Sequence, residues 1–329
     1  MMQGAALAPL VPDVYTRDLV AELPVLRKIA EIETRILYNL DSSDLQPHHW
    51  VTMARAIHEA FYGQAADEDI DVRYDGAVIV HGTDTMAYTA SALSFLLPGL
   101  DRPVILTGSQ APLLDVRTDA RANLVDACHL ATMKIPEVGI AFSSQLLRGC
   151  RAKKLDAWGM SAFGSPSCPP LAELGIGVEI APHVLPPRKA APFDDRIEPR
   201  VFLLRTFPGL DPSVLFAILA QDVKGLVIEA YGAGNVPRLE NSLVPAIEAA
   251  TAKGVPVVIV SQSPKGQVDL GRYQGGAAAA RAGAISAGDM TCEAALTKLM
   301  IELGRAVGAA DVVAAIRAAF ACRTAGEMD

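Results

Sequence analysis

The chain lacks the features that mark several large classes of protein. Although 51% of its 329 residues are hydrophobic, no apolar run reaches the ~18 residues that a transmembrane helix needs, so no membrane partner is expected. The opening Met1-Met2-Gln3-Gly4-Ala5-Ala6 has neither the basic stretch nor the apolar segment of a secretory signal. The five cysteines, Cys128, Cys150, Cys168, Cys292 and Cys322, are an odd number without a Cys-x-x-Cys pair, and reduced thiols in a cytoplasmic protein are the expectation. The 29 lysines and arginines are scattered and the formal net charge is −8, which argues against nucleic acid as a partner. Six histidines give no His-Glu-x-x-His or other metal-ligand spacing, and His48-His49 are expected at the exposed start of a helix.

What is present is an alternation of strand-like and helical runs, the pattern of parallel βαβ units. Strands are expected over 32–40, 76–81, 103–107, 138–142, 201–205, 225–230 and 255–261. Helices are expected over 16–29, 47–62, 85–97, 117–133, 212–220, 241–253, 291–305 and 311–320. Five prolines, Pro182, Pro186, Pro187, Pro192 and Pro199, make 182–199 an interdomain linker between domains 1–181 and 200–329. Residues 1–15 carry Pro9 and Pro12 and no strand-length run of β-branched residues, so the sheet's usual opening strand is expected to be missing.

Chemistry is expected where strands end, because ligands of open α/β sheets sit in the crevice beyond the strands' carboxyl ends, facing helix N-termini. The run Gly76-Ala77-Val78-Ile79-Val80-His81-Gly82-Thr83-Asp84-Thr85-Met86 ends a buried strand in a hydroxyl beside a carboxylate. Capping of the next helix by Thr83 or Asp84 is the competing reading. Asp41-Ser42-Ser43-Asp44 and Thr107-Gly108-Ser109-Gln110 are two further polar clusters after strands; for the first, capping by Ser43 or Asp44 competes. Lys154 reads as a solvated lysine by itself, but beside Asp84 it would help deprotonate a threonine. Its neighbour Lys153 is expected to be replaceable without effect. Tyr231-Gly232-Ala233-Gly234-Asn235 lacks the third glycine of a dinucleotide fingerprint, and no acidic residue ends a following strand.

Taken in order, His81-Gly82-Thr83-Asp84-Thr85-Met86, Asp41-Ser42-Ser43-Asp44, Thr107-Gly108-Ser109-Gln110, Arg148-Gly149 with Lys154, Tyr231-Gly232-Ala233-Gly234-Asn235 and Ala287-Gly288-Asp289-Met290-Thr291 resemble bacterial-type L-asparaginase, its cytoplasmic type I branch above all. The resemblance runs from about Ala6 to the C-terminal helix. It implies a two-domain α/β fold: a larger, doubly wound N-terminal domain with a parallel sheet and a smaller α/β C-terminal domain. It also implies a homodimer or dimer of dimers that hydrolyses L-asparagine to aspartate and ammonia without metal or organic cofactor. Thr83, Asp84 and Lys154 resemble the family's threonine, aspartate and lysine group. Ser42, with Ser43 beside it, resembles the serine that holds the substrate's α-carboxylate, and Asp84 is also placed for the α-ammonium. Asn235 resembles the residue that reaches the neighbouring subunit's site.

The family's strand ending in Thr-Gly-Gly-Thr, whose second threonine attacks the amide, has no counterpart anywhere in the sequence. A tyrosine on the loop after it is also unmatched, since Gly4-Ala5-Ala6-Leu7 stands there. The expectation is that a threonine-bearing strand is encoded upstream of Met1. Two other functions stay open: an inactive homologue that binds asparagine or aspartate, and the amidase subunit of a tRNA-dependent amidotransferase, which is expected to carry an extra N-terminal domain.

Overall fold

The computed structural model describes residues 23–63, 74–189 and 191–329. The expected missing strand and the first half of the helix over 16–29 lie outside them. Of that helix the described part is one 3-10 turn, Pro24–Lys28.

The first lobe holds α1 (Pro47–Tyr62), β1 (Ala77–Val80), α2 (Met86–Leu96), β2 (Val104–Thr107), α3 (Ala120–Leu130), β3 (Val138–Phe142), β4 (Gln145–Arg148), β5 (Lys153–Lys154), β6 (Phe163–Gly164), β7 (Ala172–Leu174) and β8 (Val178–Ile180). The second holds β9 (Val201–Arg205), α4 (Ser213–Leu219), β10 (Gly225–Ala230), α5 (Val244–Ala252), β11 (Val257–Ser261), α6 (Gln274–Arg281), β12 (Ile285–Ser286), α7 (Cys292–Arg305) and α8 (Val312–Ala321). Among the described residues the stretch between them, 182–199, contains no helix or strand.

The first sheet has the order β1-β2-β3-β4-β7-β8, and the second the order β12-β11-β10-β9. The second sheet is parallel throughout. The first is parallel across β1, β2 and β3, and to that expected parallel sheet β4, β7 and β8 add an antiparallel half. Its origin is a two-residue turn at Ser143 and Ser144, both at positive φ (48° and 59°). Such a turn matches the twist of a hairpin's strands, but glycine or asparagine usually signals it.

The strand expected over 32–40 is not there. These residues carry no regular secondary structure, and Ile36 and Leu40 are 50% and 44% exposed. An apolar run becomes a strand only with a ladder partner and a face to bury, and among the described residues β1 forms the sheet's edge on that side.

Helix α2 is the hub. Ten of its eleven residues are buried, as in a helix packed on every face. Its cluster runs from Trp50 and Phe61 through Leu93 and Ile140 to Val227, Val260, Leu299 and Phe320, so the two lobes share one apolar core. In the β1–β2 ladder Val80 pairs with Thr107, and the His81 N–H donates to the Thr107 carbonyl at 2.8 Å. The loops after β1 and β2 therefore leave the sheet side by side.

Candidate active site

Thr83 and Asp84 occupy the turn between β1 and α2. The N-cap of α2 is Thr85, without a side-chain cap, so neither residue is spent on capping. They face Lys154 instead: its Nζ lies 2.8 Å from Thr83 Oγ1 and 2.7 Å from Asp84 Oδ1. The lysine is mostly covered, whereas the Asp84 side chain is 67% exposed, which leaves its second oxygen open to a ligand.

A fourth residue completes this group. Thr83 Oγ1 donates to Gln110 Oε1 at 3.1 Å, and Gln110 Nε2 donates to the Gly159 carbonyl at 3.2 Å. A carbonyl only accepts, so it fixes which way the Gln110 amide faces. The Lys154 ammonium donates to Thr83, and the Thr83 proton points to Gln110. The Gln110 loop is held by Asp119, whose carboxylate accepts from the Gln110 and Ala111 N–H groups. The 107–110 motif pointed to Gln110, but Asp119 was hidden in a stretch read as helix.

Ser42 joins the site from the other side. It is buried; its carbonyl accepts from Thr85 Oγ1 at 2.7 Å. A Cβ on Gly82 would stand 2.7 Å from Ser42 Oγ, so only glycine lets the two loops meet. Ser43 turns away: its N–H and hydroxyl both bond Asp41 Oδ1, at 2.8 and 2.7 Å. These bonds, the backbone one first, hold the Asp41 carboxyl below its ordinary value. That pair closes a 3-10 turn, Ser42–Asp44, while Gln46 is the N-cap of α1; capping of α1 by Ser43 or Asp44 is not what occurs.

His81 is buried beneath the turn. Its Nδ1 lies 2.6 Å from the Gly82 carbonyl and must donate, so in the neutral ring Nε2 accepts from Thr89 Oγ1 at 2.8 Å. Thr89 in turn accepts from Trp50 Nε1 at 3.1 Å. Burial pushes the imidazole below its ordinary value, which keeps it neutral.

Asn235 lies elsewhere, in the second lobe's turn where the Tyr231 and Asn235 backbones pair. Its Oδ1 is buried without a hydrogen-bond partner among the described residues. No hydrogen bond among them joins it to Thr83, Asp84 or Lys154.

Residues 1–185 match the model of the asparaginase N-terminal domain, and residues 200–318 that of the glutaminase/asparaginase C-terminal domain. The chain belongs to the asparaginase family. It is 43% identical over 276 residues to an L-asparaginase of Thermococcus kodakarensis, spanning 84% of this chain and 80% of that protein. To L-asparaginase 1 of Escherichia coli strain K12 it is 41% identical over 271 residues, spanning 79% and 75%. The solved structure of the thermostable L-asparaginase from Thermococcus kodakarensis superimposes with a TM-score of 0.83 at 39% identity, covering 94% of this chain and 91% of that one. The architecture is thus the two-domain asparaginase fold.

Proposed function

We propose that this asparaginase-family chain hydrolyses the side-chain amide of L-asparagine, giving L-aspartate and ammonia through a threonine-based acyl-enzyme. The observation that carries the reading is the convergence on Lys154 Nζ of Thr83 Oγ1 and Asp84 Oδ1, with Ser42 packed against Gly82 beside them. A free amino acid presents a carboxylate and an ammonium, and the site offers a counterpart to each: donors of the Ser42 loop and the open oxygen of Asp84. The side-chain amide is thereby directed to the Lys154–Thr83 pair.

A threonine hydroxyl adds to the amide carbon, its proton passes by way of Thr83 to Lys154 in its neutral amine form, and the ammonium so formed protonates the leaving nitrogen. Ammonia departs, and water then cleaves the ester, restoring the hydroxyl and releasing aspartate. Water is the only co-reactant, so the reading calls for no cofactor. In it the attacking threonine lies N-terminal to the described residues, with Thr83 as the second candidate. The protein works in the cytoplasm as a homodimer or dimer of dimers. Asn235, whose buried Oδ1 has no hydrogen-bond partner among the described residues, reaches a neighbouring subunit.

The test is steady ammonia release from L-asparagine, with L-aspartate binding measured in parallel. Asp84→Asn should lower turnover by about 10²–10⁴-fold without unfolding the chain, the scale of a lost proton-transfer or charge-stabilising partner. A folded Asp84→Asn protein that turns over normally removes the site from consideration. Binding without ammonia release favours the inactive, amino-acid-binding alternative.

A further inference from the structure

Lys154 belongs to the first lobe, yet its two-residue strand is fastened to the second. Successive side chains of a strand point to opposite sides. In the β5–β6 pair Lys154 stands opposite Phe163 and Lys153 opposite Gly164. As Lys154 turns to Thr83 and Asp84, Lys153 turns the other way and donates to Glu293 Oε1 at 2.8 Å. Glu293 is in the first turn of α7, where a carboxylate also gains from the helix's N-terminal N–H groups. Its side chain is buried while that of Lys153 is partly exposed. Its other oxygen, Oε2, is buried without a partner among the described residues, so Lys153 is the cation it relies on.

A second tie lies three residues before Lys154. The buried Arg151 guanidinium donates to Asp289 Oδ2 at 2.7 Å and to the Glu327 carbonyl at 2.9 Å, both in the second lobe. The Arg151 carbonyl accepts from Ser165 Oγ, just beyond β6. A strand of two residues has too few ladder bonds to hold its own position, and these two ties supply the restraint.

We propose that Lys153, through its ion pair with Glu293, is a positioning residue for Lys154: it fixes β5 against the second lobe so that the Lys154 ammonium stays within reach of both Thr83 and Asp84. Among the described residues no hydrogen bond or ion pair joins Lys153 to either of them; it acts through the strand. This rests on the amidohydrolase reading above for its effect on turnover, and has a second readout that does not.

The experiment compares Lys153→Met, Lys153→Arg and the parent, with kcat expressed per aspartate-binding site so that unfolded protein does not count. Lys153→Met should lower kcat about 10–100-fold, the scale of a misplacement of about 1 Å in a catalytic group, with KM changed far less. Lys153→Arg keeps the charge for Glu293 and should restore most of kcat. Acetylation of Lys154 by a water-soluble ester, followed by peptide mass spectrometry, should be several-fold faster in Lys153→Met, because the amine is no longer held against Asp84. Where Lys153→Met does not fold, Glu293→Gln carries the same expectations.

A purely structural role would lower the melting temperature alone. Parental kcat with parental Lys154 labelling in the folded variant overturns the proposal, and so does a kcat loss that Lys153→Arg leaves unrestored. If the parent releases no ammonia, it is the amidohydrolase reading that fails. The labelling rates of Lys154 then decide the positioning role by themselves.

Discussion

At the scale of single residues, the sequence pointed to candidate groups but not to what each one faced. Thr83 and Asp84 stood out by residue type and place and Lys154 only through the family resemblance, and Lys154 Nζ lies within 2.8 Å of both. Lys153 carried no such signal, because its ion-pair partner Glu293 lies 140 positions away in the sequence. His81 was passed over for a similar reason, since only the fold shows that it is buried under the Thr83 turn. It also carries a pH dependence. Burial lowers its value below the ordinary 6.5, so the unfolded chain binds a proton more readily than the folded one. The resulting stability is complete above pH 6.5 and is lost as pH falls from there through the lowered folded value, at up to about 1.4 kcal/mol per pH unit. Denaturant titrations between pH 7.5 and 5 should therefore show a shallower loss for His81→Asn than for the parent. Parallel slopes would exclude His81 as the source.

Among the elements, those with a strong period and a clear stop were legible. The helix expected over 47–62 matches α1 residue for residue, and Thr291 and Asp311 cap α7 and α8 through the Ala294 and Ala314 N–H groups, as such residues do. Strand β3, buried at all five positions, read equally well. What escaped were elements whose residues are there for close approach. Helix α6 opens Gln274-Gly275-Gly276, which looks like a loop; yet a Cβ on Gly275 would lie 2.2 Å from the Val236 carbonyl, so glycine is required. The β3–β4 hairpin escaped because its turn is built from Ser143 and Ser144 rather than from glycine. A non-glycine residue at positive φ costs roughly 1–2 kcal/mol, more when β-branched. Ser143 is tied down by its Oγ donating to the Met160 carbonyl at 2.7 Å, so Ser144 is the position to vary. Ser144→Val should lower the stability by about 1–2 kcal/mol, whereas Ser144→Gly should not. Urea midpoints of the two variants check this, and equal midpoints would mean that the turn is not the limiting feature.

For the molecule as a whole, the Pro-rich stretch 182–199 suggested where the chain divides, but nothing in the sequence showed what lies beside the shared core. A buried ion pair of the second lobe reaches the first through one aromatic ring. Lys298 of α7 and Glu327 of the tail are both 0% exposed, with Nζ and Oε1 2.5 Å apart. Lys298 also donates to the Cys322 carbonyl, and its ammonium lies near the faces of Phe95, from the first lobe, and Phe320. Glu327 further accepts from the Thr324 and Ala325 N–H groups, and burial alone would raise its carboxyl, but the Lys298 charge outweighs this and holds it below its ordinary value. Removing one member of a buried pair leaves the other charge stranded, at a cost of about 3–5 kcal/mol, while replacing both is far milder. Glu327→Gln should thus be strongly destabilising even though its amide oxygen still serves the tail's N–H groups. Lys298→Met combined with Glu327→Gln should recover most of the loss, because the methionine refills the space of the lysine stem without a charge. Both tryptophans, Trp50 and Trp158, belong to the first lobe, so their fluorescence follows that lobe alone, whereas far-UV circular dichroism follows both. Since the lobes share one core, the two signals should unfold together in urea for the parent and shift together in Glu327→Gln. Separate transitions in the parent would show that each lobe stands without the other, and the Lys298–Glu327 pair would then stabilise the second lobe alone.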